Sequence, residues 1–243
     1  MSEFFNAILY QPILNVLVFL YNIIPGHDIG LAIVLLTVII KLILYPFSLK
    51  SIKSQKALQE IQPKIEELKK KFSNQKEKLA AEMMRLYREE KVSPFSSCLP
   101  LLIQLPFLLA VYQVFRTGLS SESLGYLYPF IENPGRLESV SKFFFSLDMA
   151  RPNIWLAVLT GIIQFWQSKM MITKKQPSVP GSQDEKMLTM MNRQMLYFMP
   201  IMTVFIGFQL PSGLVLYWLT TTLLMILQQY LLFRKDKVIE LKK

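Results

Sequence analysis

The chain has 243 residues, of which 52% are hydrophobic and 18% are charged, with a net charge of +10. Long apolar stretches alternate with one highly charged stretch, which excludes an ordinary soluble domain and indicates a multi-span membrane protein. The single cysteine, Cys98, excludes an intrachain disulfide and a cysteine metal cluster, and the single histidine, His27, is a poor basis for a zinc site or a catalytic triad.

The first segment, residues 1–28, is apolar but interrupted by Pro12. Proline suits the first turn of a helix and disrupts its interior, and too few residues follow Pro12 to cross a bilayer. The polar residues that share one face of this helix are Gln11, Asn15 and Asn22. The pattern predicts an amphipathic helix lying in the outer membrane interface, with a sixth span as the alternative.

Five later apolar runs approach the roughly 20 helical residues that cross a hydrocarbon core. The predicted spans are 29–49, 94–118, 154–172, 192–210 and 211–233. The last two are separated by Pro211-Ser212-Gly213, a turn sequence that predicts an antiparallel hairpin.

The distribution of Lys and Arg predicts the orientation. If residues 1–28 and the loop 119–153 lie outside, the cytoplasmic segments 50–93, 173–191 and 234–243, with the adjoining span ends, hold 22 basic residues and the outside holds 4. This is a strong positive-inside signal, so we expect an outside N-terminus and a cytoplasmic C-terminus. It also explains the net charge without a nucleic-acid partner.

The charged segment, residues 50–93, is predicted to be a cytoplasmic helical hairpin. Apolar residues recur at spacings of three and four in both halves, which gives each half a stripe to bury against the other. The seam residues are Leu58, Ile61, Ile65, Leu68 and Phe72, then Leu79, Met83 and Leu86. Pro63 should kink the first half or start a new helix. The hairpin is either a solvated structural element or an arm that contacts a ribosome, a nascent chain or lipid headgroups.

Lys41 lies inside the first predicted span, and none of the five predicted spans contains an Asp or Glu that could pair with it. A charge near the bilayer centre costs about 2.5 kcal/mol or more, so the lysine either snorkels partway to the surface or faces a wet cavity. Thr and Gln residues on every span favour a hydrated groove, although each could instead join two helices by a hydrogen bond.

Several motifs resemble those of the YidC membrane protein insertases, the bacterial relatives of the Oxa and Albino proteins. The run Lys91-Val92-Ser93-Pro94-Phe95-Ser96-Ser97-Cys98-Leu99-Pro100-Leu101-Leu102-Ile103-Gln104-Leu105-Pro106 is similar to their second span. Pro211-Ser212-Gly213-Leu214-Val215-Leu216-Tyr217-Trp218 is similar to the start of their last span, and Leu44-Tyr45-Pro46 and Gln62-Pro63-Lys64 are similar to the motifs that flank their hairpin.

The resemblance implies an all-α membrane protein with five transmembrane helices around a hydrophilic groove, an N-terminal interfacial helix and a cytoplasmic helical hairpin. It implies insertion of nascent membrane proteins in the bacterial inner membrane, with ribosomes and the Sec translocon as partners. The chain resembles the minimal form without a large periplasmic domain. The family's groove cation is typically arginine, and Lys41 stands at the matching position.

We therefore expect Lys41 to be the groove cation, with Thr37, Gln104 and Gln164 lining the groove. Tyr217 and Trp218 are candidates for substrate contact, with ordinary packing or interfacial anchoring as the alternative. No cofactor, metal or enzymatic chemistry is expected. A small transporter or channel and a membrane assembly scaffold are the alternative functions.

Overall fold

A computed structural model of the chain describes residues 3–72, 75–93, 99–117, 123–171 and 194–240. These residues are mostly helical. The helices are α1 (Glu3–Ile23), α2 (Ile29–Ile43), α3 (Tyr45–Glu60), α4 (Gln62–Lys71), α5 (Lys76–Glu89), α6 (Leu99–Thr117), α7 (Ile154–Met171), α8 (Met199–Gly207) and α9 (Ser212–Glu240). Cys98, the turn at residues 73–74 and the predicted loop 173–191 lie outside the described residues.

Pro12 does not interrupt the first helix, contrary to the sequence-based expectation. Residues Asn6–Tyr10 form a π-helical turn, in which the backbone N–H of Gln11 bonds to the carbonyl of Asn6, five residues back. A wider turn of this kind changes the backbone register just before Pro12, where the proline ring would clash in a regular α-helix. α1 therefore continues for 21 residues from Glu3 to Ile23.

The polar face of α1 binds the backbone of the segment that connects α6 to α7. The Asn15 side chain donates to the Tyr126 carbonyl at 3.0 Å and accepts from the Tyr128 N–H at 2.6 Å. The Asn22 amide donates to the Glu132 carbonyl at 2.7 Å. The residues that suggested a helix with a face toward water are thus used to hold another part of the chain.

The first predicted span, residues 29–49, is two helices rather than one. α2 ends at Ile43, and α3 leaves it at an angle of 69°. Pro46 explains the break, because it lies in the first turn of α3, where its missing N–H cannot continue the hydrogen bonds of α2. The bend lies within the predicted span 29–49, and the residues of that span from Tyr45 onward begin the helix that leads into the charged hairpin.

The charged hairpin consists of α4 and α5, and α3 leads into it. Pro63 lies in the first turn of α4 and therefore starts a new helix, which was one of its two predicted roles. Ile61 and Ile65 are buried, and Met83 and Leu86 from the other arm pack against them. Five of the eight predicted seam residues therefore meet in this contact, namely Leu58, Ile61, Ile65, Met83 and Leu86, and Leu68, Phe72 and Leu79 lie outside this cluster.

Replacing Ile65 by alanine is expected to loosen this hairpin. The side chain is 2% exposed, and removing a buried isoleucine to Cβ destabilises by about 2–5 kcal/mol. We expect faster limited proteolysis within α4 and α5 of the purified protein, with Glu67→Ala on the exposed face as the matched control. Equal cleavage of both variants would contradict the seam.

A small β-hairpin forms in the segment between α6 and α7, which the sequence predicted only as an outside loop. β1 (Val140–Ser141) pairs antiparallel with β2 (Leu147–Asp148), with Val140 opposite Asp148. Ahead of it, Ser123–Tyr126 form a 3-10 turn. Leu124, Ile131, Leu137 and Met149 of this segment are buried in the same core as α1, α2, α6 and α9.

The last three helices pack closely because small residues lie between them. A Cβ added to Gly161 of α7 would lie 2.3 Å from a methyl carbon of Val204 and 3.1 Å from the Pro200 carbonyl oxygen. α8 follows a π-helical turn, Gln194–Phe198, and α9 continues to Glu240, beyond the end predicted for the last span at residue 233.

Gly161→Ala is expected to destabilise the protein by about 1–3 kcal/mol, because the added methyl must push α7 and α8 apart. Gly125→Ala is the matched control, since a Cβ there would meet nothing within 4 Å. Thermal unfolding in detergent measures both variants. Equal midpoints would show that Val204 moves aside and that the contact does not need glycine.

Among the described residues, two helices are each long and apolar enough to cross a membrane, Glu3–Ile23 and Ser212–Leu232, and the bent pair α2 and α3 makes a third if it is one span. Leu102–Arg116 and Leu196–Gly207 are shorter apolar helices. Large apolar side chains stay exposed along α6, α7 and α8, including Leu102, Trp166 and Phe205. Exposed apolar area of this extent suits a protein surrounded by lipid.

Candidate functional site

Lys41 lies in the last turn of α2 and is buried, with 6% of its surface exposed. Because α2 ends at Ile43, the lysine is much nearer the helix end than a straight span to residue 49 would place it. A cation in the last turn interacts favourably with the helix dipole. It is nevertheless covered by protein, so a lysine that snorkels to open water does not describe this side chain.

The Lys41 pocket is a small cavity formed where α2 bends into α3 and meets α6. It is lined by Lys41, Leu44, Ser48, Ile103 and Gln104. Its volume is about 20 Å³, which is room for about one water molecule. Lys41 therefore faces a mixed polar and apolar wall in a space that admits water but no larger solute.

No ion pair within the described ranges joins Lys41 to a carboxylate. Asp28 lies at the opposite end of α2, 13 residues away, which is about 20 Å at the rise of an α-helix. The positive charge is thus left to polar atoms, to water or to a negative group that arrives from outside.

Gln104 connects the Lys41 pocket to α9. Its side-chain amide donates to the phenol oxygen of Tyr217, whose side chain is 1% exposed. The two residues are 113 positions apart in the chain, and both were predicted site residues. Tyr217 contributes to the site by holding Gln104, and it is too buried to be a surface for substrate in this state.

Ser48 is a pocket residue that the sequence did not single out. Its hydroxyl donates to the side-chain oxygen of Gln228 at 2.8 Å, which ties the start of α3 to α9. Its position, seven residues after Lys41 and beyond a helix-breaking proline, could have indicated that Ser48 lies near the lysine. Leu44 and Ile103 complete the wall and carry no polar signal.

The remaining predicted residues lie elsewhere. Thr37 is fully buried on α2 and its hydroxyl donates to the Ile33 carbonyl at 2.6 Å, within its own helix. Gln164 accepts a hydrogen bond from Thr203, which joins α7 to α8. Trp218 is half-buried beside Tyr217. None of these three is among the residues that line the Lys41 pocket.

The chain is similar in sequence to a known protein family and to several of its members. A model of the family described as the 60Kd inner membrane protein matches residues 19–239. The chain is 34% identical to the membrane protein insertase YidC of Fusobacterium nucleatum over 229 residues, which is 93% of this chain and 98% of the relative.

Two further relatives carry the same name. YidC of Clostridium tetani is 37% identical over 82% of this chain and 79% of its own length. YidC of Treponema denticola is 34% identical over 97% of this chain, and the match covers 39% of that longer protein. The chain belongs to the YidC family of membrane protein insertases, in the 60Kd inner membrane protein class.

Proposed function

We propose that this chain inserts nascent membrane proteins into the inner membrane by drawing a short polar tail toward Lys41 and releasing the following apolar helix into lipid. The barrier to insertion is the transfer of a polar segment across hydrocarbon. A cation that is buried, unpaired and beside a water-sized pocket lowers that barrier for an acidic tail, because Coulomb attraction strengthens where water is scarce. The single observation that carries the proposal is that Lys41 is buried and that no carboxylate of the described residues pairs with it.

The Lys41 pocket is proposed to be the inner end of a hydrated groove between five transmembrane helices, formed by the bent α2, α6, α7, α8 and α9. Ser48 and Gln104 supply polar atoms at that end, and Gln228 and Tyr217 fix them in place. The substrate helix then leaves sideways, since burying a full span in lipid supplies the driving force. Lys41 attracts the tail but forms no lasting pair with it.

The orientation proposed for the protein follows the positive-inside count, with the α4–α5 hairpin and the end of α9 in the cytoplasm. α1 then lies on the outer side, where its polar face holds the loop between α6 and α7. The hairpin exposes Lys64, Lys71 and Arg85 alongside Glu67 and Glu89, around a cleft of about 450 Å³. We assign this mixed-charge cleft to contact with the ribosome, the Sec translocon or the arriving chain.

Reconstitution tests the proposed activity. The purified protein in liposomes is given a single-span substrate with a short acidic tail, and protection of the tail from added protease is measured. We expect a protected tail with the protein and an accessible tail in empty liposomes. Release of a small trapped dye is measured in parallel. Dye release without tail protection, for several substrates, would replace the insertase with a channel.

A further inference from the structure

The outer hairpin, residues 140–148, carries two exposed aromatic side chains. Phe145, in the turn between β1 and β2, is fully exposed, and Phe143 is 63% exposed. Both are large apolar groups at the tip of a short, well-attached hairpin. Leaving two large aromatic rings in water is unfavourable, because burial of apolar surface lowers the free energy.

The base of the outer hairpin is fixed to the outer end of α2. The Asp28 carboxylate accepts hydrogen bonds from the Ser141 hydroxyl at 2.6 Å and from the Phe143 N–H at 2.9 Å. Gly30 leaves the space that this contact needs, because a Cβ there would lie 2.5 Å from the Ser141 hydroxyl oxygen and 2.6 Å from the Phe144 ring.

The other end of the hairpin is fixed to the start of α9. The Gly213 N–H donates to the Met149 carbonyl, and the Ser212 N–H donates to the Arg151 carbonyl, each at 2.9 Å. The hairpin thus bridges the N-terminal ends of α2 and α9. The tip is consequently held in a defined position and does not swing freely.

This attachment fixes the position of the hairpin relative to the apolar helices. The apolar helices α2, α7 and α9 all begin beside it, at Ile29, Ile154 and Ser212. Trp155, in the first turn of α7, is 79% exposed. Exposed tryptophan and phenylalanine where apolar helices begin are typical of the membrane–water interface, where an aromatic ring has both apolar and polar surroundings.

The turn of the outer hairpin holds Phe145 in an uncommon backbone conformation. Phe145 and Ser146 both have positive φ angles, 53° and 57°, a conformation that is uncommon for a bulky residue. Lys142, next to Phe143, is also exposed. The Phe145 ring is fully exposed, so packing against the described residues does not offset this strain.

We propose that the outer hairpin is a membrane anchor, with Phe143 and Phe145 inserted into the interface of the lipid leaflet that surrounds the N-terminal ends of α2, α7 and α9. The occupant of this aromatic surface is lipid, with Lys142 beside the headgroups. The anchor fixes the outer ends of the apolar helices at a constant depth. It depends on the membrane location of the chain and is independent of the proposed insertion mechanism.

A fluorescent probe at the tip tests the anchor. In a Cys98→Ser background, Phe145→Cys and Phe143→Cys are each labelled with NBD, and the protein is reconstituted into liposomes with spin-labelled lipid. Met84→Cys is the control, because Met84 is a 53% exposed apolar side chain on the cytoplasmic hairpin. We expect a blue-shifted probe at both tip positions and quenching by lipid about twofold stronger than at Met84.

Two outcomes would overturn the anchor. Emission and quenching equal to those at Met84 would place the tip in water. A blue shift without lipid quenching would mean that protein, either a second copy or another chain, covers the tip. Tail protection is measured in the same liposomes, so an inactive insertase with a lipid-quenched tip would separate failure of the proposed function from failure of the anchor.

Discussion

Lys41→Met is expected to reduce insertion of a substrate with an acidic tail about tenfold or more, whereas Lys41→Arg retains most of the activity. Methionine preserves the length and apolar stem of lysine but removes its charge. Even at the high effective dielectric constant found near protein surfaces, a charge pair about 4 Å apart is worth about 4 kcal/mol, and about 1.4 kcal/mol is a factor of ten. Arginine keeps the charge, although its planar group fills the small pocket differently.

The initial rate of tail protection in liposomes measures this effect, with the amount of reconstituted protein held equal. Thermal unfolding of both variants is the control, since removal of an unpaired buried charge should leave stability unchanged or raise it. Equal insertion by wild type and Lys41→Met would show that the charge is dispensable. The polar groups of the pocket or the cytoplasmic hairpin would then have to carry insertion.

Asp28→Ala is expected to detach the outer hairpin and lower stability by about 4 kcal/mol or more. The carboxylate caps α2 by accepting from the Leu31 N–H and also holds Ser141 and Phe143. A lost cap costs about 1 kcal/mol, and each of the two lost hydrogen bonds to the charged group costs about 1.5–3 kcal/mol. For a chain of this size we expect the unfolding midpoint to fall by about 8 °C or more.

The matched control is Asp148→Ala, since Asp148 lies in the same segment but serves only a local turn and an exposed pair with Arg151. It should shift the midpoint by a small fraction of the Asp28→Ala effect. Asp28→Asn should fall between them, because the amide keeps one acceptor and loses the charge. Equal midpoints for Asp28→Ala and wild type would contradict the assigned role of this contact.

Asp28 also predicts a dependence on pH. Burial raises the pKa of this carboxyl, but hydrogen bonds from Ser141 and from the backbone N–H groups of Phe143 and Leu31 outweigh burial, so its pKa lies below the usual value. A lowered folded-state pKa means that the stabilisation is complete above the unfolded-state pKa and is lost as the pH falls through the folded-state pKa. The difference in stability between wild type and Asp28→Ala should therefore shrink in strong acid.

The features that were predictable from sequence depend on local spacing. The heptad seam placed Ile61 and Ile65 in the hairpin contact, where they are 4% and 2% exposed. The apolar runs found the helices that begin at Ile29, Ile154 and Ser212. Lys41 stood out because an unpaired charge among apolar residues is unusual at any site.

The features that were not predictable depend on which distant residues meet. Gln104 and Gln164 carry the same local signal, a glutamine in an apolar helix, yet one bonds to Tyr217 beside the Lys41 pocket and the other to Thr203. Pro46, which marks the bend, is visible in the sequence, but the apolar residues on both sides of it suggested one continuous span. The contacts of Asp28 with Ser141 and Phe143 were not predictable either, because these two residues lie more than 100 positions away.

If Lys41 attracts acidic groups of the substrate, its effect must depend on the charge of the substrate tail, which a double-mutant cycle measures. Insertion rates are measured for wild type and Lys41→Met, each with a substrate whose tail is acidic or has its carboxylates replaced by amides. We expect coupling, so that Lys41→Met slows the acidic tail about tenfold or more and has little effect on the amide tail. Equal slowing of both tails would contradict it, because Lys41 would then act on the shape or hydration of the site and not on the charge of the substrate.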